Sequence, residues 1–245
     1  MLAIIGGTGL NRLATDCETI GSTATPFGTA SAQPQRGRLG GLDVVFLARH
    51  GQPHRIAPHL INYRANLWLL RELGVERVIA SNAVGGITAA LAPGDIVFPH
   101  QLIDYTWGRA HTYTDREPLV HVDFSEPYDA GLRQRLERAA LGLELNCAVF
   151  ERGVYAATQG PRLESAAEID RLARDGCDVV GMTGMPEAGL ARELGLAYAS
   201  ICLVVNRAAG RGDGAISEGD IARVAARGMA QVERIIAAAA GSLAP

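Results

Sequence analysis

Seven short apolar runs alternate with segments of helical periodicity, and this alternation limits the fold more than any other feature. The runs are residues 2–5, 44–48, 77–81, 95–98, 153–157, 178–181 and 197–206. Residues 63–73 carry Tyr63, Leu67 and Leu70 on one face, and residues 128–141 repeat Leu132, Leu136 and Ala139/Ala140. Segments 164–174 and 185–194 follow. A last helix is expected from about Glu218, with Ile221, Val224, Ala225, Val232, Ile235 and Ile236 at near-helical spacing. Strands alternating with helices predict an α/β fold with a largely parallel or mixed sheet. In such folds, functional groups gather in loops at the carboxyl ends of strands.

Composition narrows the class. The 245 residues are 48% hydrophobic, enough to bury a sizeable core, and no Pro/Ser-rich linker divides them. One domain over residues 1–245 is expected. The net charge of −3 is spread thinly, and dispersed Lys and Arg argue against a nucleic-acid partner. The cysteines, Cys17, Cys147, Cys177 and Cys202, form no CxxC pair, so neither a disulfide framework nor a zinc site is expected. The start, "MLAIIGGTGL", lacks a basic region and breaks into glycine, unlike a signal peptide. The apolar runs are about half the roughly 20 residues a membrane span needs. A soluble, cytoplasmic protein without a membrane partner is the expectation.

Five strand ends share one property: small or polar residues follow at once. "AIIGGTG" presents Thr8; "VVFLARHG" presents Arg49 and His50; "VIASNAVGG" presents Asn82 and Ala83; "VVGMTGMPE" presents Met182 and Thr183; "YASICLVVNRAAG" presents Asn206. The first invites a dinucleotide reading, but G-x-G-x-x-G fails at its third glycine, where Arg12 stands. There is no phosphate-binding P-loop signature. The loop still offers backbone N–H groups and a hydroxyl, the ingredients of an anion nest. Arg49 matches an oxyanion with paired donors. Together with Thr8, the Ala83 backbone and Thr183, the Arg49–His50 pair describes a small tetrahedral anion site, most simply for inorganic phosphate.

The chain resembles the trimeric purine nucleoside phosphorylase and methylthioadenosine phosphorylase family. The resemblance covers nearly the whole length: "IIGGTGL", "LARHG", "NYRANLWLL", "NAVGG", "PGDIVFPHQLIDYT", "GVYAATQGPRLES" and "DVVGMTGMPEAGLARELGLAYASICLVVN". It implies one α/β domain with a mixed, partly barrel-like central sheet flanked by helices, assembled as a homotrimer or a dimer of trimers. It implies phosphate held by Thr8, Arg49, His50, the Ala83 N–H and Thr183, with Met182 under the ribose and the base near Glu164 and Asn206. The implied reaction is reversible phosphorolysis of a purine nucleoside. No metal or organic cofactor is implied, inorganic phosphate being a co-substrate.

Two residues then select the base. A 6-oxopurine carries N1–H as donor and O6 as acceptor; a 6-aminopurine reverses both. An amide at Asn206 can accept from protonated N7 with its oxygen and donate to O6 with its NH2. The Glu164 carboxylate accepts from N1–H but meets a lone pair on adenine N1. Each mispaired polar group in a closed site costs roughly 1–3 kcal/mol, so both together favour oxopurines by on the order of 10²-fold. Methylthioadenosine enzymes of the family carry Asp in place of Asn206 and a small residue in place of Glu164.

The sugar end is read from an absence of histidine. Purine nucleoside phosphorylases usually bring a histidine from the segment after the base-binding strand to the 5′-hydroxyl. Here His50, His54, His59, His100, His111 and His121 all precede Asn206, and "RAAGRGDGAISEGDIARV" follows it. An apolar 5′ group needs no such partner, which points to 5′-methylthioinosine, with general inosine/guanosine or methylthioadenosine phosphorolysis as alternatives. By resemblance, a neighbouring subunit closes the sugar pocket through "HVDFSEPY", with His121 as the candidate, although a lone histidine there reads more often as a surface residue. Two other classes stay open: a catalytically silent nucleoside-binding protein, and a nucleoside hydrolase, for which no aspartate-rich cluster is seen.

Overall fold

The computed structural model describes residues 1–7, 15–115 and 118–243. In chain order the strands are β1 (Leu2–Gly6), β2 (Thr15–Thr19), β3 (Ala24–Thr25), β4 (Gly28–Thr29), β5 (Gln35–Leu39), β6 (Leu42–Ala48), β7 (Arg77–Gly86), β8 (Ile96–Val97), β9 (Gln101–Asp104), β10 (Val149–Phe150), β11 (Val154–Ala157), β12 (Val179–Gly181) and β13 (Ala197–Arg207). The helices are α1 (Tyr63–Glu72), α2 (Ala130–Leu141), α3 (Ala166–Arg174), α4 (Gly184–Glu193) and α5 (Glu218–Gly241).

The main path of the sheet runs β10-β8-β13-β7-β1-β6-β5-β2. β13, β7, β1 and β6 pair in parallel, which is why each carries a run of consecutive apolar residues rather than an alternation: parallel strands are covered on both faces. Along β1 the side chains divide strictly. Leu2 and Ile4 pack with α2 and α5, through Leu136, Ile235 and Ile236. Ala3 and Ile5 pack on the other face with α1 and α4, through Leu67, Leu70 and Leu190.

β7 is where the sheet branches. Its first residues pair with β1 and β13, while Gly85 and Gly86 pair antiparallel with β12, which continues to β11 and β9. The result is the mixed, partly barrel-like sheet expected. Helix α3 covers this arm, its Ile169 and Leu172 packing with Ala156 and Val180.

The helix starts are sealed locally. Asn62, Asp129, Ser165 and Ser217 each accept from a backbone N–H of the first turn. At α3 the bond is reciprocal, Glu168 reaching back to the Ser165 backbone. Glu164 therefore lies just before the helix and not in its first turn.

Some boundaries differ from the sequence reading. β7 does not stop at Ser81 but runs on to Gly86, so Asn82 and Ala83 belong to a strand, not a loop. The turn-forming composition of "SNAVGG" misleads because the Asn82 amide is used inside the sheet, donating to Ser200 Oγ at 2.6 Å. β2 and β5 show no apolar run because β2 is exposed along its whole length and β5 is only half covered. Among the described residues no helix is long and apolar enough to cross a membrane.

Candidate functional site

A cavity of about 400 Å³ opens where β6, β7, β12 and β13 end. Arg49, His50, Ala83, Glu164, Met182, Thr183 and Asn206 all line it. Gly7 lines it too, but Thr8 lies outside the described residues. His121 is exposed and is not part of the wall within this chain.

Arg49 and His50 follow β6 directly, and their electrostatics differ from a simple cationic pair. The Arg49 guanidinium is buried and donates from Nε and Nη2 to the two carboxylate oxygens of Glu187, at 2.7 and 2.8 Å, and from Nη1 to the Ser81 carbonyl at 3.1 Å. Five N–H groups minus these three leaves one on each terminal nitrogen. Burial alone would push the guanidinium down; the Glu187 carboxylate outweighs it and holds Arg49 above its usual range. Glu187 is itself fully buried and also accepts from Tyr198 Oη at 2.9 Å.

His50 is neutral. Its Nδ1 is 2.9 Å from the Ile56 carbonyl, and a carbonyl can only accept, so Nδ1 carries the proton and Nε2 keeps its lone pair. Burial pushes the imidazole down; Arg49 and His54 add to this against the Ile56 bond and Glu187, leaving it at about 4. The His54 ring stacks on it at 4.2 Å, nearly parallel at 8°. An anion placed here would meet oriented donors more than net positive charge.

Thr183 precedes α4 but does not cap it; its Oγ1 donates to Asn82 Oδ1 at 2.9 Å. A chain Thr183–Asn82–Ser200 thus runs from the cavity wall into the sheet. The backbone N–H groups of Thr183 and Gly184 both donate to Tyr155 Oη at 3.3 Å. Met182 is seated by Gly160, whose φ is +63° and where a Cβ would come within 2.5 Å of the Met182 sulfur. Only glycine combines that left-handed backbone with that approach.

Asn206 owes its direction to a bulge. β13 and β7 pair regularly up to Val204, then the register shifts so that Asn206 faces Gly85. Such bulges re-aim one side chain at a strand end. One N–H of its NH2 donates to the Arg207 carbonyl at 2.7 Å, leaving the other N–H and the amide oxygen for a ligand. Glu164 stands on the wall nearby, its Oε1 accepting from Thr158 Oγ1 at 2.7 Å. Ile216, Ile221, Ala225 and Met229, three of them on α5, form an apolar side of the same cavity.

Glu187 was not singled out from the sequence, and neither were His54 or the α5 residues. Glu187 had one signal: a carboxylate inside the otherwise apolar run "GMPEAGLA".

The comparisons with known proteins agree along the whole chain. Residues 1–240 match the family described as the phosphorylase superfamily. A protein from Pseudomonas syringae pv. tomato named probable S-methyl-5'-thioinosine phosphorylase is 53% identical over 238 residues, 96% of each chain. The 6-oxopurine nucleoside phosphorylase of Pyrococcus furiosus is 42% identical over 245 residues, 97% of this chain and 91% of its own. Among solved structures, methylthioadenosine phosphorylase from Schistosoma mansoni in complex with adenine superposes with a TM-score of 0.91 at 30% identity, covering 99% of this chain and 91% of its own. Matched from its first strand to the end of its last helix by one family model, and by relatives of this identity, the chain belongs to the phosphorylase superfamily.

Proposed function

We propose that the protein catalyses phosphorolysis of 6-oxopurine nucleosides, with 5′-methylthioinosine as its preferred substrate. The observation that carries this reading is one cavity with two unlike sides. Asn206 and Glu164 stand on its wall with an amide and a carboxylate, and Ile216, Ile221, Ala225 and Met229 make another part of it apolar. The polar pair suits N7–H, O6 and N1–H of hypoxanthine. The apolar part suits a methylthio group, and no histidine follows Asn206 to serve a 5′-hydroxyl.

In the reaction, the C1′–N9 bond of the nucleoside stretches and the ribose gains oxocarbenium character. Hydrogen phosphate, held by Thr8, Arg49, the Ala83 N–H and Thr183 and giving its own O–H to the Nε2 lone pair of His50, stabilises that charge and attacks C1′, forming the sugar 1-phosphate. The electron pair of the broken bond goes to the purine; N7 takes a proton from water, matched by the one the phosphate gives up as the sugar 1-phosphate forms, and Asn206 Oδ1 accepts the hydrogen bond from N7–H. Met182 packs under the ribose. Positioning and electrostatics carry the rate, with no covalent enzyme intermediate. Phosphate is a co-substrate, and the reaction needs no metal or organic cofactor. We place the enzyme in the cytoplasm as a homotrimer in which His121 of one copy faces the sugar site of its neighbour.

The printed name of the Pyrococcus furiosus relative supports a second reading, a general 6-oxopurine nucleoside phosphorylase. A phosphate-dependent panel of methylthioinosine, methylthioadenosine, inosine, guanosine and adenosine decides between them. Methylthioinosine is expected to give the highest kcat/KM, with hypoxanthine released only when phosphate is present. A higher kcat/KM for inosine selects the second reading. A higher one for methylthioadenosine rejects both, and release without phosphate makes the protein a hydrolase.

A further inference from the structure

Arg109 lies in the segment between β9 and α2, is only 8% exposed, and is not part of the cavity wall. Its guanidinium forms no ion pair with a carboxylate among the described residues. It is spent mainly on two other segments, mostly on their backbone carbonyls, with one longer contact from Nη1 to the Tyr63 hydroxyl at 3.4 Å. Nη2 donates to the carbonyls of Thr158 and Gln159 at 3.1 and 2.8 Å, and Nε to the Gln159 side-chain oxygen at 3.2 Å. Nη1 donates to the carbonyls of Met182 and Met185 at 2.8 and 2.5 Å.

Both segments carry cavity residues. Thr158, held by its carbonyl, sends its hydroxyl to Glu164 at 2.7 Å and so fixes the carboxylate that faces the base. Met182 and Thr183 lie on the second segment, and Glu187, the partner of Arg49, begins two residues after Met185. Met185 is available because its backbone is extended, φ −122° and ψ 143°, before Pro186. A residue before proline is steered to that region, which takes its carbonyl out of the helix ladder.

We infer that Arg109 is a positioning residue that locks the base-reading segment to the sugar- and phosphate-binding segment, and so sets the preference for 6-oxopurines. Only a planar fan of five donors can bind carbonyls on both sides at once; a lysine keeps the charge but not the fan. Without the fan, Glu164 loses its fixed distance from Thr183 and Met182, and discrimination that depends on two simultaneous pairings falls. Small misplacements of this kind, away from the reacting atoms, cost on the order of 10²-fold in rate. The inference deepens the proposed function and rests on it for its kinetic part.

The test is Arg109→Lys in the full-length protein, read in two ways. Hydrogen exchange is expected to rise together in residues 158–165 and 182–187, with the remaining strands protected as in the wild type. The methylthioinosine to methylthioadenosine ratio of kcat/KM is expected to fall about tenfold, with KM for the nucleoside raised. Arg109→Ala with added guanidinium ion should recover part of that ratio. Unchanged exchange, or loosening of only one segment, overturns the inference, as does an unchanged ratio in an active variant. A uniform rise in exchange across the molecule, with the ratio intact, also overturns it, because that is what a merely structural staple would give. If the wild type releases no hypoxanthine with phosphate, the functional reading fails, while the exchange measurement still decides the lock.

Discussion

Arg49 and Glu187 stand 138 residues apart in the chain and meet as a buried two-pronged pair, Nε to Oε2 at 2.7 Å and Nη2 to Oε1 at 2.8 Å. The pair neutralises the most prominent cation of the cavity before any anion arrives. It also fixes which edge of the guanidinium is left for one.

Removing the carboxylate alone is therefore expected to be severe. Glu187→Ala leaves a buried charge uncompensated, and such changes destabilise by about 3–5 kcal/mol. Urea unfolding should show this loss. Phosphate should then raise the melting temperature of the variant more than that of the wild type, since a bound dianion takes over the lost negative charge. Equal phosphate-induced shifts in the two proteins would show that Arg49 does not face the anion.

Asn206→Asp probes the proposed contact with the purine edge. The variant loses the NH2 that donates to the Arg207 carbonyl, and its carboxylate meets that oxygen instead. It also loses the donor proposed for O6. The kcat/KM for methylthioinosine is expected to drop by about 10²-fold, and methylthioadenosine to lose less, since an acceptor suits its 6-amino group. Glu164 continues to oppose adenine, so the preference narrows without inverting. Full methylthioinosine activity in the variant would remove Asn206 from the base.

The pH dependence of stability has a definite sign at His50. Its native pKa lies at about 4, below its ordinary 6.5, because burial, Arg49 and His54 disfavour the imidazolium. Between those values the unfolded chain binds the proton and the native one does not. The stabilising contribution is thus complete above 6.5 and is lost as pH falls toward 4. Because the ring is partly exposed, the loss is on the order of 1–2 kcal/mol. Denaturant midpoints at neutral and at mildly acidic pH should differ by more in the wild type than in His50→Gln. Parallel pH profiles would place the acid sensitivity elsewhere.

The central strands could be read from the sequence for a physical reason. Residues 44–48 and 197–206 are covered on both faces, so the pattern needs no partner to be recognised. β2 escaped because "TDCET" is exposed throughout and pairs at an edge, where nothing demands apolar residues. The end of β7 was misread because Asn82 and Gly85–Gly86 are turn formers by propensity, and only the pairing with β13 and β12 shows that the strand continues. The cavity brings together six residues proposed from strand ends, Arg49, His50, Ala83, Met182, Thr183 and Asn206, since strand ends are legible one at a time; Glu164 came from the resemblance. Arg109 was not legible, and Glu187 only faintly, as a carboxylate in the apolar run "GMPEAGLA". Their partners lie far off in sequence, and a carboxylate or guanidinium on its own reads as surface.

Gly228 on α5 tests how the apolar side of the cavity is held. A Cβ there would come within 2.5 Å of Leu203 Cδ1 and 2.8 Å of Cδ2. Leu203 is fully buried in the central strand β13, inside the main core cluster, where close packing resists a rotamer change. Alanine would improve helix propensity by about 1 kcal/mol. Overpacking a filled core costs about 1–3 kcal/mol, so the clash outweighs the gain and α5 shifts outward. Ile221, Ala225 and Met229 ride on the same helix and line the cavity, so the shift reaches the proposed sugar end. Gly228→Ala is expected to lower the melting temperature slightly and to raise KM for methylthioinosine several-fold, with KM for phosphate little changed. A stabilised variant with unchanged KM values would mean that helix propensity prevails and that the seat of α5 is not set by this glycine.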